Sequence, residues 1–184
     1  MIYFGDVKVL GCDIDGTLYK TGGIRSFVHN AYDTVSYVFP NLASLVRGHL
    51  PRISIPVGYD SKLVKTLSAA KRRFGIFVVT EGYETPAIKK LRELGAFPFV
   101  DGLICYDMFG HPKDAEYFLE LINRTRMPAE THVSIGDNLR TDIIPAKTIG
   151  MKTIKVGGNK TSSEDLWVPE FTETEKFFES SNMV

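Results

Sequence analysis

Two aspartates lie two positions apart where an apolar segment gives way to glycine, in the stretch VLGCDIDGTLY over residues 9–19. In an extended segment alternate side chains share a face, so Asp13 and Asp15 would lie on the same side of the chain. Two carboxylates at that distance repel each other. The pair is tolerated if a cation lies between them, if one carboxyl holds a proton, or if both belong to a solvated turn.

Further polar residues follow the later apolar segments of the chain. Thr80 ends the segment GIFVVT, Asp137 ends HVSIGD, and Asp142 comes five positions after Asp137. Lys113 stands between the segment DGLICY and the helical pattern that opens near residue 113. In open α/β sheets, ligands bind beyond the carboxyl ends of the strands. We therefore expect carboxylates, a hydroxyl and an ammonium group at one edge of a sheet.

Short segments rich in β-branched residues alternate with helical patterns along the chain. The predicted strands are VKVLGC (7–12), GIFVVT (75–80), DGLICY (101–106), HVSIGD (132–137) and KTIKV (152–156). The predicted helices are KLVKTLSAAKRRF (62–74), TPAIKKLRELG (85–95), PKDAEYFLELINRT (112–125) and TDIIPAKTIG (141–150). Pro86 and Gly95 bound the second helix, and Pro145 lies in the first turn of the fourth or kinks it. This alternation predicts an α/β fold, a doubly wound parallel sheet with helices on both faces.

The length of 184 residues suits one domain with a small insertion. Residues 20–59 separate the first strand from the next helix, and a connection this long should carry structure of its own. Its segments IRSFVHNAYDTVSYVF and NLASLVRGHL are helical in pattern, so we predict a small helical cap over 20–59 and a core of 1–19 and 60–184. Near the C-terminus, LWV predicts an edge strand and TETEKFFES a short final helix.

Charge and composition narrow the function classes. Lys plus Arg and Asp plus Glu both number 22, so no overall positive field favours nucleic acid or a membrane surface. No apolar stretch approaches a membrane span, and the first residues do not resemble a signal peptide, which predicts a cytoplasmic location. Cys12 and Cys105 lie in apolar segments and are expected to be inert core thiols without a disulfide.

The pattern of these residues resembles the haloacid dehalogenase superfamily. The DxDGT motif of that superfamily is matched by residues 13–17, its strand-ending Thr or Ser by Thr80, and its GDxxxxD motif by residues 136–142. In the lysine motif many relatives have lysine before proline, whereas this chain has HPKDAEYF, with the two transposed. Lys113 is the candidate lysine because it opens the predicted helix. The resemblance covers most of the chain outside residues 20–59 and implies a Rossmann-like core.

The resemblance also implies catalytic roles. Asp13 would be the nucleophile that attacks phosphorus and forms an aspartyl phosphate, which divides one difficult displacement into two easier ones. Asp15 would be the general acid for the leaving alcohol and then the base that activates water. The Thr80 hydroxyl, the Lys113 ammonium group and nearby backbone N–H groups would hold the phosphoryl oxygens.

A cofactor and a metal site are implied in the same way. Mg²⁺ would bind the Asp13 carboxylate, the backbone carbonyl of Asp15 and the Asp137 carboxylate, and would offset the repulsion between an anionic nucleophile and a phosphate. Asp142 would orient Lys113 or a metal-bound water without binding the metal itself. The paired aspartates then have separate tasks, because Asp13 must stay ionised whereas Asp15 must be able to hold a proton.

The implied activity is Mg²⁺-dependent hydrolysis of a phosphomonoester. The dehalogenase branch of the superfamily works without the second aspartate, so the presence of Asp15 favours phosphoryl chemistry. A phosphomutase would use the same core residues, and a non-catalytic sensor or scaffold for a phosphorylated ligand is the alternative from another class. A small-molecule phosphomonoester is the expected partner. A reduced cap would close the site incompletely, so a large substrate or a homodimer in which cap residues pair is also expected.

Overall fold

The computed structural model describes residues 5–20 and 57–180, without the side chains of 178–180, and these residues form a six-stranded sheet flanked by helices. The strand order is β3-β2-β1-β4-β5-β6 and every neighbouring pair is parallel. The strands are β1 (Val9–Cys12), β2 (Gly75–Val79), β3 (Gly102–Ile104), β4 (His132–Gly136), β5 (Lys152–Val156) and β6 (Leu166–Val168). The predicted parallel α/β sheet is confirmed, including its edge strand LWV.

Six α-helices lie between and after these strands in the described part of the chain. They are α1 (Ser61–Lys71), α2 (Glu84–Leu94), α3 (Tyr106–Phe109), α4 (Ala115–Thr125), α5 (Ile144–Thr148) and α6 (Glu175–Ser180). A π-helical turn, Leu139–Ile143, leads directly into α5, and short 3₁₀ turns cover Phe97–Phe99, Ala129–Thr131 and Phe171–Thr174. The short final helix expected near the C-terminus is therefore present as α6.

The sheet buries a separate apolar cluster on each face, because successive side chains of a strand point to opposite sides. Leu10 of β1 belongs to the cluster that includes α1 and α2, whereas Val9 belongs to the cluster that includes α4 and Ala146 of α5. On the face of Val9, a Cβ at Gly11 would lie 2.9 Å from Cδ2 of Leu121, so glycine lets α4 approach β1 closely. The doubly wound arrangement with helices on both faces is thereby confirmed.

The helix bounds have local causes. Asp60 caps α1 by accepting hydrogen bonds from the N–H groups of Lys62 and Leu63. Gly95 ends α2 in the left-handed conformation, with φ of 76°, as its position in the sequence predicts. The predicted start of α4 near residue 113 is wrong by two residues. Asp114 accepts a hydrogen bond from Glu116 N–H and so caps a helix that begins at Ala115.

Two further predictions concern α5 and the cysteines. Pro145 lies in the first turn of α5, directly after the π-helical turn. Cys12 and Cys105 are both buried and not disulfide-bonded, and burial raises the pKa of the Cys12 thiol. A protonated, buried thiol is a poor nucleophile, which agrees with the expected inert role.

The predicted cap, residues 20–59, lies outside the described residues over 21–56, so the two helices expected there stay predictions. Residues 5–19 and 57–180 belong to one compact unit, and the division into a core and a cap stays a prediction. Within the described part of the chain, no helix combines the length and the apolar character needed to cross a bilayer.

His132, the first residue of β4, is fully buried between a turn and a helix. Its Nδ1 donates a hydrogen bond to the carbonyl oxygen of Pro128 at 2.9 Å, and its Nε2 lies 2.7 Å from the Thr125 hydroxyl. Burial lowers the pKa of His132, against the opposing effect of its hydrogen bonds to the backbone of Pro128 and Ala129. The neutral ring is thus the form that the fold accommodates.

We predict that the free energy of unfolding falls on acidification because of this histidine. The unfolded chain takes up a proton near the usual histidine pKa of about 6.5, whereas the folded protein resists it, so stability present above that pH is lost below it. His132→Asn keeps a donor for the Pro128 carbonyl but cannot gain the charge. Urea unfolding between about pH 8 and about pH 5.5 should show a smaller loss for the variant, and equal losses would contradict the assignment.

Candidate active site

The strands β2, β1 and β4 are neighbours, and each delivers a predicted site residue at its carboxyl end. Asp13 follows β1, Thr80 follows β2, and Asp137 follows β4. The strand order reverses direction between β1 and β4, which is where open α/β sheets bind ligands. Asp13 N–H donates to the Ile135 carbonyl at 2.9 Å, so the nucleophile candidate is still held by the ladder with β4.

Three carboxylates meet at this edge. Asp13, Asp137 and Asp142 each offer an oxygen, and these oxygens all lie within 4.8 Å of one another. Asp13 and Asp142 are buried, whereas Asp137 is exposed. Carboxylate oxygens at this spacing are suitable ligands for a hard divalent cation.

Lys113 lies between two of these carboxylates and is almost completely buried, with 4 % of its surface exposed. Its Nζ donates to Asp13 Oδ1 at 2.8 Å, to the Val79 carbonyl at 3.0 Å, and pairs with Asp142 Oδ1. Two of the three N–H donors of the ammonium group are thus used in hydrogen bonds, and the ion pair with Asp142 lies beside them. The backbone N–H of Lys113 donates to Glu81 Oε1 at 2.8 Å, which fixes the loop before α4.

The Asp142 carboxylate is engaged at both oxygens by the protein. Oδ1 pairs with Lys113, and Oδ2 accepts the backbone N–H of Asn138 at 2.9 Å. Asp142 belongs to the π-helical turn, and its backbone carbonyl accepts the Ser134 hydroxyl at 2.8 Å. π-Helical turns often occur at functional sites, and this one aims Asp142 back at the end of β4.

The balance of charge at the site is negative. Burial raises the pKa of Asp13, Lys113 opposes that rise, and the charges of Asp142 and Asp137 add to it. Burial alone would lower the pKa of Lys113, but the carboxylates of Asp13 and Asp142 outweigh it and raise that pKa. Lys113 is therefore held as a cation beside two carboxylates, and a further cation at this edge would favour the ionised form of Asp13.

Two glycines leave the space that these carboxylates occupy. A Cβ at Gly136 would lie 2.2 Å from the Asp142 carboxyl carbon, and a Cβ at Gly16 would lie 2.2 Å from Asp137 Oδ2. Gly16 also has a φ of 88°, in the left-handed region. The glycines of the DxDGT and GDxxxxD motifs are thus required because a carboxylate passes close to each backbone.

Asp15 lies on the short loop that follows β1 and is engaged by side chains that the sequence did not indicate. Lys90 of α2 donates to Asp15 Oδ1 at 2.7 Å and lies 2.5 Å from Oδ2, and the Tyr19 hydroxyl donates to Oδ1. A signal was available for Lys90, because it lies between Ala87 and Leu94 on the buried side of α2.

Thr80 is buried at the end of β2, and its hydroxyl accepts the N–H of Gly82 at 3.1 Å. This contact turns the chain toward α2. Lys113 Nζ donates a hydrogen bond to the carbonyl oxygen of Val79. Val79 directly precedes Thr80, so the structure places Thr80 next in sequence to a residue that binds Lys113.

Comparison with known proteins identifies the family of the chain. The model of the haloacid dehalogenase-like hydrolase family matches residues 59–156, which is more than half of the chain. The chain belongs to this haloacid dehalogenase-like family. The matched segment contains Thr80, Lys113, Asp137 and Asp142, whereas the DxDGT motif precedes it.

Among curated haloacid dehalogenase-like relatives, a glyceraldehyde 3-phosphate phosphatase of Methanocaldococcus jannaschii is 34% identical over 102 residues, which cover 55% of this chain and 44% of the relative. A putative hydrolase of the family from Bacillus subtilis, YfnB, is 32% identical over 89 residues, 47% of this chain and 38% of that protein. The chain thus matches less than half of the length of either relative.

Solved structures of the family share the fold over nearly the whole chain. A phosphatase of the family from Thermococcus onnurineus has a TM-score of 0.66 at 21% identity, covering 94% of this chain and 98% of that one. The magnesium-bound YfnB of Bacillus subtilis has a TM-score of 0.66 at 18% identity, with the same coverage of 94% and 98%. At these identities the likeness establishes the fold.

We predict that Gly16→Ala destabilises the protein more than Gly150→Ala. Both glycines have a φ of 88°, so alanine costs about 1–2 kcal/mol of backbone strain at either position. At Gly150 the new Cβ would meet only Ala129 Cβ at 3.8 Å, an ordinary contact, whereas at Gly16 it collides with Asp137. The collision should add about 1–3 kcal/mol to the loss of unfolding free energy. Equal losses by urea denaturation would show that the carboxylate does not need the space.

Proposed function

We propose that the protein is a Mg²⁺-dependent phosphatase that hydrolyses a phosphomonoester through an aspartyl phosphate on Asp13. The observation that carries the proposal is the buried Lys113, held between Asp13 and Asp142 at the switch point of the sheet. A fixed cation beside a carboxylate is suited to a reaction in which that carboxylate must approach a phosphate dianion. The 34% identical phosphatase of Methanocaldococcus jannaschii supports the same reaction class.

In the first half of the reaction, an oxygen of the Asp13 carboxylate attacks phosphorus. The bond between phosphorus and the ester oxygen breaks, and Asp15 in its acid form gives its proton to that oxygen, which leaves as an alcohol. Lys113 holds Asp13 in place and offsets charge on the incoming phosphoryl group. Of its three acceptors the Val79 carbonyl is the neutral one, so a phosphoryl oxygen would displace that contact at least cost.

In the second half, Asp15 is a carboxylate and takes a proton from water. The water oxygen attacks phosphorus, the bond to Asp13 breaks, and inorganic phosphate leaves. Asp13 returns to its carboxylate form and Asp15 to its acid form, so the cycle closes. Thr80 and nearby backbone N–H groups would bind phosphoryl oxygens during both halves.

The donor set fits a magnesium ion. Asp13 and Asp137 supply carboxylate oxygens within 4.8 Å of each other. The missing side chain of Gly16 leaves room for the Asp137 carboxylate. The backbone carbonyl of Asp15 would be a third protein ligand. Asp142 has both oxygens committed to Lys113 and Asn138, which suits an orienting role. When bound, Mg²⁺ supplies positive charge that lowers repulsion between Asp13 and the phosphoryl oxygens.

A small-molecule phosphomonoester is the proposed substrate class. The name of the Methanocaldococcus jannaschii relative, a glyceraldehyde 3-phosphate phosphatase, supports a small phosphorylated metabolite. A phosphomutase on the same residues would return the phosphoryl group to a product sugar. Release of inorganic phosphate in proportion to substrate consumed therefore separates the two reactions.

We predict that Asp13→Asn removes at least about 10³-fold of the phosphatase activity, because the amide cannot act as the nucleophile. The measurement is inorganic phosphate released from 4-nitrophenyl phosphate, with Mg²⁺ and with excess chelator. Chelator should abolish the activity of the native chain. Asp6→Asn, an exposed aspartate before β1, should leave the rate unchanged. Activity retained by Asp13→Asn would contradict the nucleophile assignment.

We predict that Mg²⁺ raises the unfolding temperature by relieving repulsion among the site carboxylates. A hundredfold excess over Kd contributes about 2.7 kcal/mol, or about 5–10 °C for a chain of this size. Asp137→Asn should lose most of this shift, whereas Asp6→Asn should keep it. Thermal denaturation with and without Mg²⁺ measures it, and an identical shift in Asp137→Asn would remove that residue from the metal site.

A further inference from the structure

A second charged cluster adjoins the site and joins two distant parts of the chain. Lys90 of α2 contacts both oxygens of Asp15, at 2.7 and 2.5 Å, across 75 positions of sequence. The Tyr19 hydroxyl donates to the same carboxylate. The Lys90 Nζ also lies 5.9 Å from the centre of the Tyr19 ring. The three side chains, Asp15, Tyr19 and Lys90, form one contact cluster, which we call the Asp15 clamp.

The loop after β1 brings two members of the clamp together. Leu18 N–H donates to the Ile14 carbonyl at 3.0 Å, and Gly16 N–H donates to the Tyr19 carbonyl at 3.1 Å. The chain therefore doubles back at once, and Asp15 and Tyr19 lie side by side in an isolated bridge. This local turn explains why a tyrosine four positions later can reach the Asp15 carboxylate.

The helix α2 supplies the third member from a rigid base. Ala87, Leu91 and Leu94 of α2 are buried against the sheet, and the left-handed Gly95 fixes its end. Lys90 lies beside this apolar stripe, and only 12% of its side chain is exposed. A side chain that is mostly buried and charged is normally paired, and its partner here is the carboxylate of Asp15.

The neighbouring lysine, Lys89, lies on the solvent-exposed side of α2. Lys89 is 58% exposed and lies 3.8 Å from Glu93, an i,i+4 pair on the solvent side. Such pairs contribute little to stability. Lys89 therefore serves as a control that shares the helix, the residue type and the sequence context of Lys90.

We propose that Lys90 is a positioning residue for Asp15: with Tyr19 it holds the ionised carboxylate at the site, and it keeps one oxygen in place when the other takes up the proton that Asp15 gives to the ester oxygen. This inference rests on the proposed function, in which Asp15 gives a proton to the ester oxygen. The side chain of Asp15 is 24% exposed and lies on a loop, so its own packing does not fix its orientation. Lys90 on α2 and Tyr19 on the same loop fix the orientation of Asp15 by their hydrogen bonds. Proton transfer requires hydrogen-bond distance, so a misplaced carboxyl loses its effect.

The decisive readout is the dependence of the rate on the leaving group. An alkyl phosphate releases a strongly basic alkoxide that needs a proton, whereas 4-nitrophenyl phosphate releases a stable phenolate that does not. Loss of the acid therefore slows the first substrate much more than the second. A general structural weakening of the site would slow both alike. The contrast between propyl phosphate and 4-nitrophenyl phosphate thus reports on Asp15 specifically.

We expect Lys90→Met to lower kcat for propyl phosphate by about 10²-fold, with a loss of less than about 3-fold for 4-nitrophenyl phosphate and little change in KM. Lys90→Arg should restore part of the loss, because a guanidinium can also donate to both carboxylate oxygens. Lys89→Met should behave as the native chain on both substrates. Asp15→Asn should show the same selectivity as Lys90→Met, to a greater extent.

Each remaining outcome overturns a defined statement. In one outcome, Asp15→Asn slows propyl phosphate selectively, but Lys90→Met slows both substrates equally or neither. This outcome would overturn the role of Lys90 and leave the proposed function intact. An unselective Asp15→Asn would overturn the acid role of Asp15, and the role of Lys90 with it. No phosphate released from either substrate by the native chain would overturn both.

A measurement without catalysis tests the contact itself. The unfolding free energies of Lys90→Met, Asp15→Asn and the double variant form a thermodynamic cycle. A coupling between the two positions is expected, because each single change leaves a partly buried charged group without its partner. Additive losses would show that the contact does not hold Asp15, which would overturn the proposal independently of any activity.

Discussion

The site depends on the burial of a single ammonium group between two carboxylates. Lys113 has almost no exposure, donates hydrogen bonds to Asp13 and to the Val79 carbonyl, and forms an ion pair with Asp142. A buried charge without partners is strongly unfavourable, so Asp13 and Asp142 are required as much by Lys113 as by any substrate. The same contacts commit one oxygen of each carboxylate and so limit what the remaining oxygens can bind. Lys113 thus offsets part of the negative charge that the fold gathers at this edge of the sheet.

The regular part of the fold could be predicted because its sequence signals are local. Short β-branched segments separated by amphipathic ones give alternating strands and helices, and the sheet edge at which Asp13, Thr80 and Asp137 meet follows from parallel topology. Gly95 marked the end of α2 for a similarly local reason, since a left-handed residue is needed there.

What the sequence left out depends on contacts between distant segments. The start of α4 was placed too early because Pro112 and Lys113 resemble a helix opening, whereas the Asp114 side chain captures the first free N–H. The π-helical turn is not visible in the spacing of GDNLRTD, because α and π turns share the same residue types. Lys90 resembles a solvated lysine until α2 is packed, and only its place beside an apolar stripe hints otherwise.

The contact between Lys113 and Asp13 spans 100 positions of the chain, and this separation determines when the site can form. Closing so long a loop is slow, and the contact stabilises the chain only after the loop is closed. Asp142 arrives with β4, which must pair with β1 before Lys113 meets its second carboxylate. In a partly folded chain with β1, β2 and β3 alone, Lys113 would contact Asp13 but not Asp142, and its burial would be less favourable. The edge of the sheet that carries Asp13, Lys113 and Asp142 is therefore complete only when β4 is paired with β1.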